Sequence, residues 1–342
     1  MNFRSDNVTG VAPEILAAIA AVNQGTMPSY GADPVTERLQ QRFAALFAHE
    51  VAVFPVATGT AANALALAAL TPPWGVIYCH EASHVNTDEC GAPEFYAGGA
   101  KLMGLPGADA KIAPEAIEAR LGDRGIVHHA QPACISITEA TEAGTLYRPE
   151  EIAQLSAVAQ RHGLGLHMDG SRFANAVAAL GCAPADLTWR AGVDVLSFGA
   201  TKNGALAAEA VIFFAPAKAG DLAFRRKRSG HLFSKMRFLS AQLEAYLADD
   251  LWLRNARHAN RMARRLADGV AGLPGVRLRH PTEANEIFVE LPEPVIAALD
   301  RAGVGFYRWG GEASSCLRLV TAFDTRAEDV DAVVALIRHS AA

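Results

Sequence analysis

The chain has 342 residues, 51% of them hydrophobic, and a formal net charge of −5 at pH 7. A core of that size predicts a large domain with a smaller one beside it, and the mixed charge gives no sign of a nucleic-acid or membrane surface. Five scattered cysteines without a CxxC pair, no apolar signal core and no run of 18 apolar residues point to a soluble, cytoplasmic protein.

Residues 1–12 are polar and rich in turn formers, so they either dangle or are tied down near something functional. Pro13 suits a first helical turn, and Glu14 to Val22 reads as a helix. Tyr30 lies in a loop dense in Gly and Pro (Gly25 to Pro34), where a packed loop aromatic is the plainer reading and a ligand contact the alternative. Val35 to Phe47 is helical, with Leu39, Phe43 and Leu46 on one face. Thr58-Gly59-Thr60 then opens an Ala/Leu-rich helix to about Leu70. Taken alone it is either an ordinary Thr N-cap or a phosphate seat made of free N–H groups and the positive helix end.

Trp74 to Tyr78 reads as a strand, followed by His80, Glu81, His84, Asp88 and Glu89. Their spacing matches no zinc pattern, and a histidine there could instead stack on an aromatic cofactor. Strands are predicted at Ala100 to Leu105 and Ala133 to Thr138, and helices at Ala113 to Leu121 and Ile152 to Arg161. A strand at Gly165 to Asp169 follows, then a helix from Phe173 to Leu180. The apolar run Val193 to Leu196 leads into Ser197-Phe198-Gly199-Ala200-Thr201-Lys202-Asn203-Gly204, and Ala210 to Phe214 is a further strand. This alternation predicts an α/β domain with a mostly parallel sheet.

Lys202 follows Asp169 by 33 residues, enough for a strand, a crossover helix and a return to a nearby parallel strand. Both groups then lie at the sheet edge where α/β proteins keep ligands. GxGxxG and Walker A patterns are absent. A lysine paired with an acid is what pyridoxal 5'-phosphate (PLP) chemistry asks for: one for the Schiff base, the other for the pyridinium nitrogen. The basic run Arg225 to Arg228 is a solvated face or a set of cations for a phosphate. From a long helix, Leu251 to Val270, the chain enters a small α+β layer. Its strands are expected at Val276–Arg279, Glu286–Glu290, Val304–Tyr307 and Leu317–Val320, and its helices near 293–302 and 327–338.

Several stretches, in this order, resemble the L-threonine aldolases of the β-eliminating lyase group. They are Arg4-Ser5-Asp6, Tyr30-Gly31-Ala32-Asp33-Pro34, Thr58 to Asn63, His167 to Ala176, Ser197 to Gly204 and Leu317 to Thr321. The wording around Lys202 is closest to the low-specificity threonine and phenylserine aldolase branch. The resemblance implies fold type I, the aspartate-aminotransferase-like architecture. It implies an N-terminal segment 1–12 near the active site, a large PLP-binding domain 13–250 and a small α+β domain 251–342. It also implies homodimers or homotetramers with active sites at the subunit interface.

The resemblance further implies roles. Lys202 carries PLP, Asp169 faces the pyridine nitrogen, and Thr58, Gly59 and Thr60 hold the phosphate. Arg318 binds the substrate carboxylate, with Ser5 and Arg172 as helpers. His84 stacks on the ring and is the first candidate for the base at the β-hydroxyl, with His128 a second histidine near the β-substituent. Arg237 and Lys227 match basic residues that reach the phosphate across a subunit boundary, and Tyr30 becomes a site wall. The implied reaction is retro-aldol cleavage of L-threonine, L-allo-threonine or phenylserine to glycine and an aldehyde. The alternatives are another PLP reaction on the same scaffold (β-elimination, racemisation or transamination) or a non-enzymatic PLP-binding protein. No metal site, nucleic-acid partner or membrane partner is expected.

Overall fold

The computed structural model describes residues 1–341. Seven strands form the central sheet: β1 (Ala52–Val56), β2 (Gly75–His80), β3 (Lys101–Leu105), β4 (Gln131–Thr138), β5 (Gly165–Gly170), β6 (Val195–Gly199) and β7 (Glu209–Phe213). Their order is β1-β7-β6-β5-β4-β2-β3. The β3-β2-β4-β5-β6 stretch is parallel, as each step between neighbours there is bridged by a crossover. β7 runs antiparallel to both β6 and β1. The link from Gly199 to Glu209 is too short to hold a crossover, so the chain turns back on itself there. Lys202 sits on that turn, in a single 3₁₀ turn Thr201–Asn203.

Helix Gly59–Leu70 is buried on nearly every side, from Ala61 to Ala68. Its alanines let it lie close against the sheet, which brings its N-terminus to the same edge as Lys202. Behind β6, the rings of Phe43, Phe173, Tyr246 and Trp252 surround Phe198, with Phe43 edge-on at 5.1 Å. Burying each such ring contributes about 1.5–3 kcal/mol, which anchors the strand that presents the lysine turn.

A second, antiparallel sheet is formed by β8 (Arg277–Leu278), β9 (Glu286–Glu290), β10 (Tyr307–Arg308) and β11 (Cys316–Val320), in the order β10-β11-β9-β8. Helices Leu251–Val270, Glu293–Arg301 and Ala327–Ala341 pack on it around Leu266, Val289, Ile296, Leu319 and Val333. The two outer strands keep only two residues each, shorter than expected, because β10 pairs solely with β11 and β8 solely with β9. The helix expected over Ala113 to Leu121 is likewise reduced to Pro114–Glu118, followed by a 3₁₀ turn at Leu121–Asp123.

The N-terminal segment is tied down. Phe3 donates its N–H to Gly305 and accepts from Val320, so it joins the small sheet. Ala12 then donates its N–H to Gly204 O at 2.8 Å, beside the lysine turn. Residues 4–11 therefore cross from one sheet to the other over the edge that carries Asp169 and Lys202. Among the described residues, no helix is long and apolar enough to cross a membrane.

Candidate active site

The lysine turn is held from three sides. Glu209 accepts the Ala200 N–H (2.9 Å), and Asn203 donates to the Tyr246 hydroxyl (2.7 Å) and to Trp252 O (2.8 Å). Gly204 has φ +114°, and a Cβ there would press on Asn255 Nδ2 and Ala12 Cβ at about 3.0 and 3.1 Å, so only glycine fits. Burial holds the Lys202 amine below the usual lysine range, and Arg172 adds to this against the pull of Asp6, Asp169 and Glu286. A lowered amine pKa raises the share of neutral nucleophile.

Two cavities meet at this residue, one of about 330 Å³ and one of about 320 Å³. Lys202, His84, Ser171 and Asn7 line both. In the first, Asp169 is the penultimate residue of β5 and is 3% exposed. Its Oδ2 accepts from Asn63 Nδ2 (2.8 Å) and its Oδ1 from the Ser171 N–H (3.0 Å). Asn63 also donates to Glu89 Oε1 (2.8 Å), which accepts from His84 Nδ1 (2.9 Å). One amide thus ties the acid at the cavity floor to the histidine at its wall. The Glu89 hydrogen bond holds His84 above the usual histidine range, while burial pushes Glu89 up. His84, Glu89 and Asp169 each offer a ligand atom within 4.8 Å of one another, but Asn63 already donates to both carboxylates.

The far end of this cavity is the start of helix Gly59–Leu70. The Thr58 hydroxyl caps it by accepting the Ala61 N–H (3.2 Å), and the N–H groups of Gly59 and Thr60 stay free of helical partners. A Cβ on Gly59 would meet nothing within 4 Å. Free N–H groups at the positive end of a 12-residue helix, beside open space, suit a phosphate.

The second cavity ends in four charges. Arg172 donates from Nε and Nη2 to Asp6 (2.8 and 3.0 Å), and its Nη1 lies 3.3 Å from Glu286. Arg318 donates from Nε and Nη2 to Glu286 Oε1 (2.9 and 2.6 Å) and stacks on Trp309 at 5.5 Å. Burial opposes ionisation of Asp6, but Arg172 and then Lys202 hold its carboxyl below the usual range. The set is two cations and two anions, and the Nη1 edge of Arg318 is left for a planar bidentate anion.

A buried histidine lies under Asp169. The hydroxyls of Ser136 and Ser197 meet the two ring nitrogens of His167 at 2.9 and 3.0 Å, and burial lowers its pKa to about 4. An unfolded histidine titrates near 6.5, so this contribution to stability is complete above pH 6.5 and is lost as the pH falls toward 4. The span corresponds to up to about 3 kcal/mol. His167→Gln, whose amide can meet both serines, should flatten the acid limb of stability in urea titrations at pH 7 and pH 4.5. An unchanged slope would assign that limb to other groups.

The model for the family "Beta-eliminating lyase" matches residues 2–293. The chain belongs to this family. It is 48% identical to the low specificity L-threonine aldolase of Pseudomonas aeruginosa over 328 residues, 96% of this chain and 94% of that protein. It is 45% identical to the enzyme of the same name from a Pseudomonas species over 336 residues, 98% and 96% of the two chains. A solved structure titled as Leishmania major threonine aldolase superposes with a TM-score of 0.93 at 29% identity, covering 100% of this chain and 99% of that one. The β-eliminating lyases are enzymes, and the two-cavity cleft is where this member gathers its reactive groups.

Within that cleft lie Lys202, Asp169, His84, Thr58, Gly59, Thr60, Ser5, Arg172 and Arg318. Arg172 lines the second cavity, where two of its donors meet Asp6 and its Nη1 lies 3.3 Å from Glu286, so it also holds the N-terminal segment in place. His128 is exposed, in the loop before β4, and lines neither cavity. That loop enters β4 at the edge of the sheet opposite Lys202. Tyr30 (49% exposed) and Arg237 also lie outside the cleft of the single chain. Tyr30 has Lys227 Nζ 4.4 Å above its ring and donates its N–H to Ser234 O, next to the start of helix Arg237–Leu247.

Sequence reasoning missed Asp6, Asn63, Glu89, Glu142 and Glu286. Asp6 and Asn63 stood inside quoted motifs, and Glu89 lies five residues after His84, so three of the five had a local signal. Glu142 and Glu286 had none.

Proposed function

We propose that this chain is a PLP-dependent aldolase that cleaves L-threonine, L-allo-threonine or a related β-hydroxy-α-amino acid, phenylserine included, to glycine and an aldehyde. The observation that carries this reading is Lys202 at the junction of two cavities, with Asp169 and a helix N-terminus on one side and Arg318 on the other. The first cavity suits PLP: a lysine amine, a buried carboxylate, and first-turn N–H groups. Asn63 Oδ1 and Glu89 Oε2 are also buried there without hydrogen-bond partners among the described residues. Bound there, PLP would accept the electron pair released at Cα of an amino acid.

The chain's own residues do the rest. Lys202 holds and releases the amino group, and Asp169 stabilises positive charge at the cavity floor. Gly59, Thr60 and the helix end hold the phosphate. Arg318, with Ser5 beside it, fixes the carboxylate and so sets which bond at Cα stands ready to break. His84 stands over the cavity and covers its wall. Exposed Trp74 (66%), Phe95 (76%) and Phe224 (80%) support assembly into a homodimer or homotetramer, in which Tyr30, Lys227 and Arg237 can face a partner's site.

The test is product analysis on protein purified with PLP, beside a mass measurement by light scattering against the 36.2 kDa monomer. Acetaldehyde from L-threonine or benzaldehyde from phenylserine, each matched by glycine, is the expected result. Pyruvate and ammonia in their place would assign the cleft to β-elimination.

A further inference from the structure

We propose that Glu142 binds the β-hydroxyl of the substrate and takes its proton as the Cα–Cβ bond breaks. The inference rests on the aldolase reading above and deepens it.

A β-hydroxy amino acid brings three polar groups to the cleft. Lys202 meets the amine, and Arg318 meets the carboxylate. The hydroxyl needs a third group in the same cavity with an open hydrogen-bonding site. Glu286 Oε2 also lacks a hydrogen bond, but Arg172 Nη1 lies 3.3 Å from it and Arg318 is bonded to Oε1, so this carboxylate is already paired with two cations. Asp88 is exposed and accepts from the Thr87 hydroxyl. Ser5 caps the N–H of Asn7. Glu142 differs from these. Its Oε1 accepts the His84 N–H at 2.8 Å, while its Oε2 is buried and makes no well-formed hydrogen bond among the described residues, although the Thr138 hydroxyl acts on the carboxyl. A buried acceptor left open is costly unless a ligand fills it.

The loop that carries Glu142 is stiff. Thr141 and Thr145 bond side chain to side chain (2.7 Å) and backbone to backbone (3.0 Å), and both hydroxyls lie within hydrogen-bond distance of Asp109 O, with one donating to it and the other to its neighbour. Gly144 has φ +72°, and a Cβ there would strike the Glu286 backbone at 3.0 Å, so the loop packs directly on β9. The carboxylate is thus preorganised against both sheets.

Acid–base character agrees with the geometry. Glu89 favours the cationic form of His84, which can donate but not accept. Burial pushes the Glu142 carboxyl up to about 7, against the His84 N–H and the nearby Thr138 hydroxyl, which pull it down. A base poised near neutral is the effective one at neutral pH. In the step itself, the hydroxyl proton moves to Glu142 Oε2, the O–H pair becomes the second bond of the aldehyde carbonyl, and the Cα–Cβ pair stays with Cα. After the aldehyde leaves, Cα gains a proton from solvent and Glu142 loses one to it.

The experiment compares wild-type and Glu142→Gln holoenzyme by two readouts: aldehyde release from L-threonine, and exchange of the glycine α-hydrogen into D₂O followed by proton NMR. Glycine has no β-hydroxyl, so exchange needs the rest of the site but not Glu142. Cleavage should fall about 100-fold or more, as expected when a general base is removed, with exchange within about threefold of wild type. The visible band of the bound cofactor, and its response to glycine, report folding and binding in the same samples. Cleavage that survives the substitution would overturn the assignment. Parallel loss of cleavage and exchange would overturn it too, leaving Glu142 as a prop for His84. A wild-type enzyme that exchanges glycine but releases no aldehyde would instead overturn the aldolase reading itself.

Discussion

Lys202→Ala should lose cleavage by on the order of 10⁴-fold or more, the range that removal of a covalent nucleophile costs. The visible band of covalently held PLP should disappear with it. The physical reason is that nothing else in the cleft can substitute. Arg172 and Arg318 line the same cavity, but guanidiniums stay protonated and do not act as nucleophiles. The turn itself is held by Glu209, Asn203 and Gly204, none of which contacts depend on the lysine side chain. The variant should therefore fold, and circular dichroism at equal concentration checks this. A folded variant that keeps a tenth of the wild-type rate would remove Lys202 from the chemistry.

Asp169→Asn should lower kcat by on the order of 10²–10³-fold, comparable to the loss of one preorganised electrostatic group. PLP should remain bound, because the substitution keeps the shape and leaves Lys202 and the Thr58–Thr60 helix end untouched. A neutral amide cannot support positive charge at the cavity floor. It also faces the Asn63 amide, which now donates to both Asp169 and Glu89. Saturating PLP, with cofactor content read by absorbance, separates the two effects. If added PLP restores the full rate, Asp169 serves binding alone.

Much of this site was legible in the sequence because its parts are local. The Thr58 N-cap, the apolar strand before Asp169 and the glycine-bounded turn at Lys202 each declare themselves within a few residues. The mostly parallel sheet followed from the alternation of strands and helices, whereas the reversal at β7 emerged only in the structure, where the link from Gly199 is too short to cross over. Arg172 shows how far such reading reaches. Its place three residues after Asp169 aims it at the cleft, but which anion it serves depends on Asp6, 166 residues away. His128 lies outside both cavities of the single chain, since a histidine before a strand starts on the edge opposite the residues that end the strands.

The sequence by itself determined most of the elements, the mostly parallel α/β class, the spacing of the lysine–aspartate pair and the helix start at Thr58. These rest on periodicity, capping and turn chemistry, which act over short spans of chain. Only the tertiary structure decided how the charges are partnered. Asp6 meets Arg172 and Glu286 meets Arg318 because residues 1–12 cross from the small sheet to the lysine turn, and because β9 and β11 lie side by side. Glu142 reaches the His84 backbone because β4 and β2 are neighbours with their C-terminal ends on one edge. Hydrogen bonds between charged side chains form wherever the packed strands bring them within 3 Å, and no local pattern encodes that encounter.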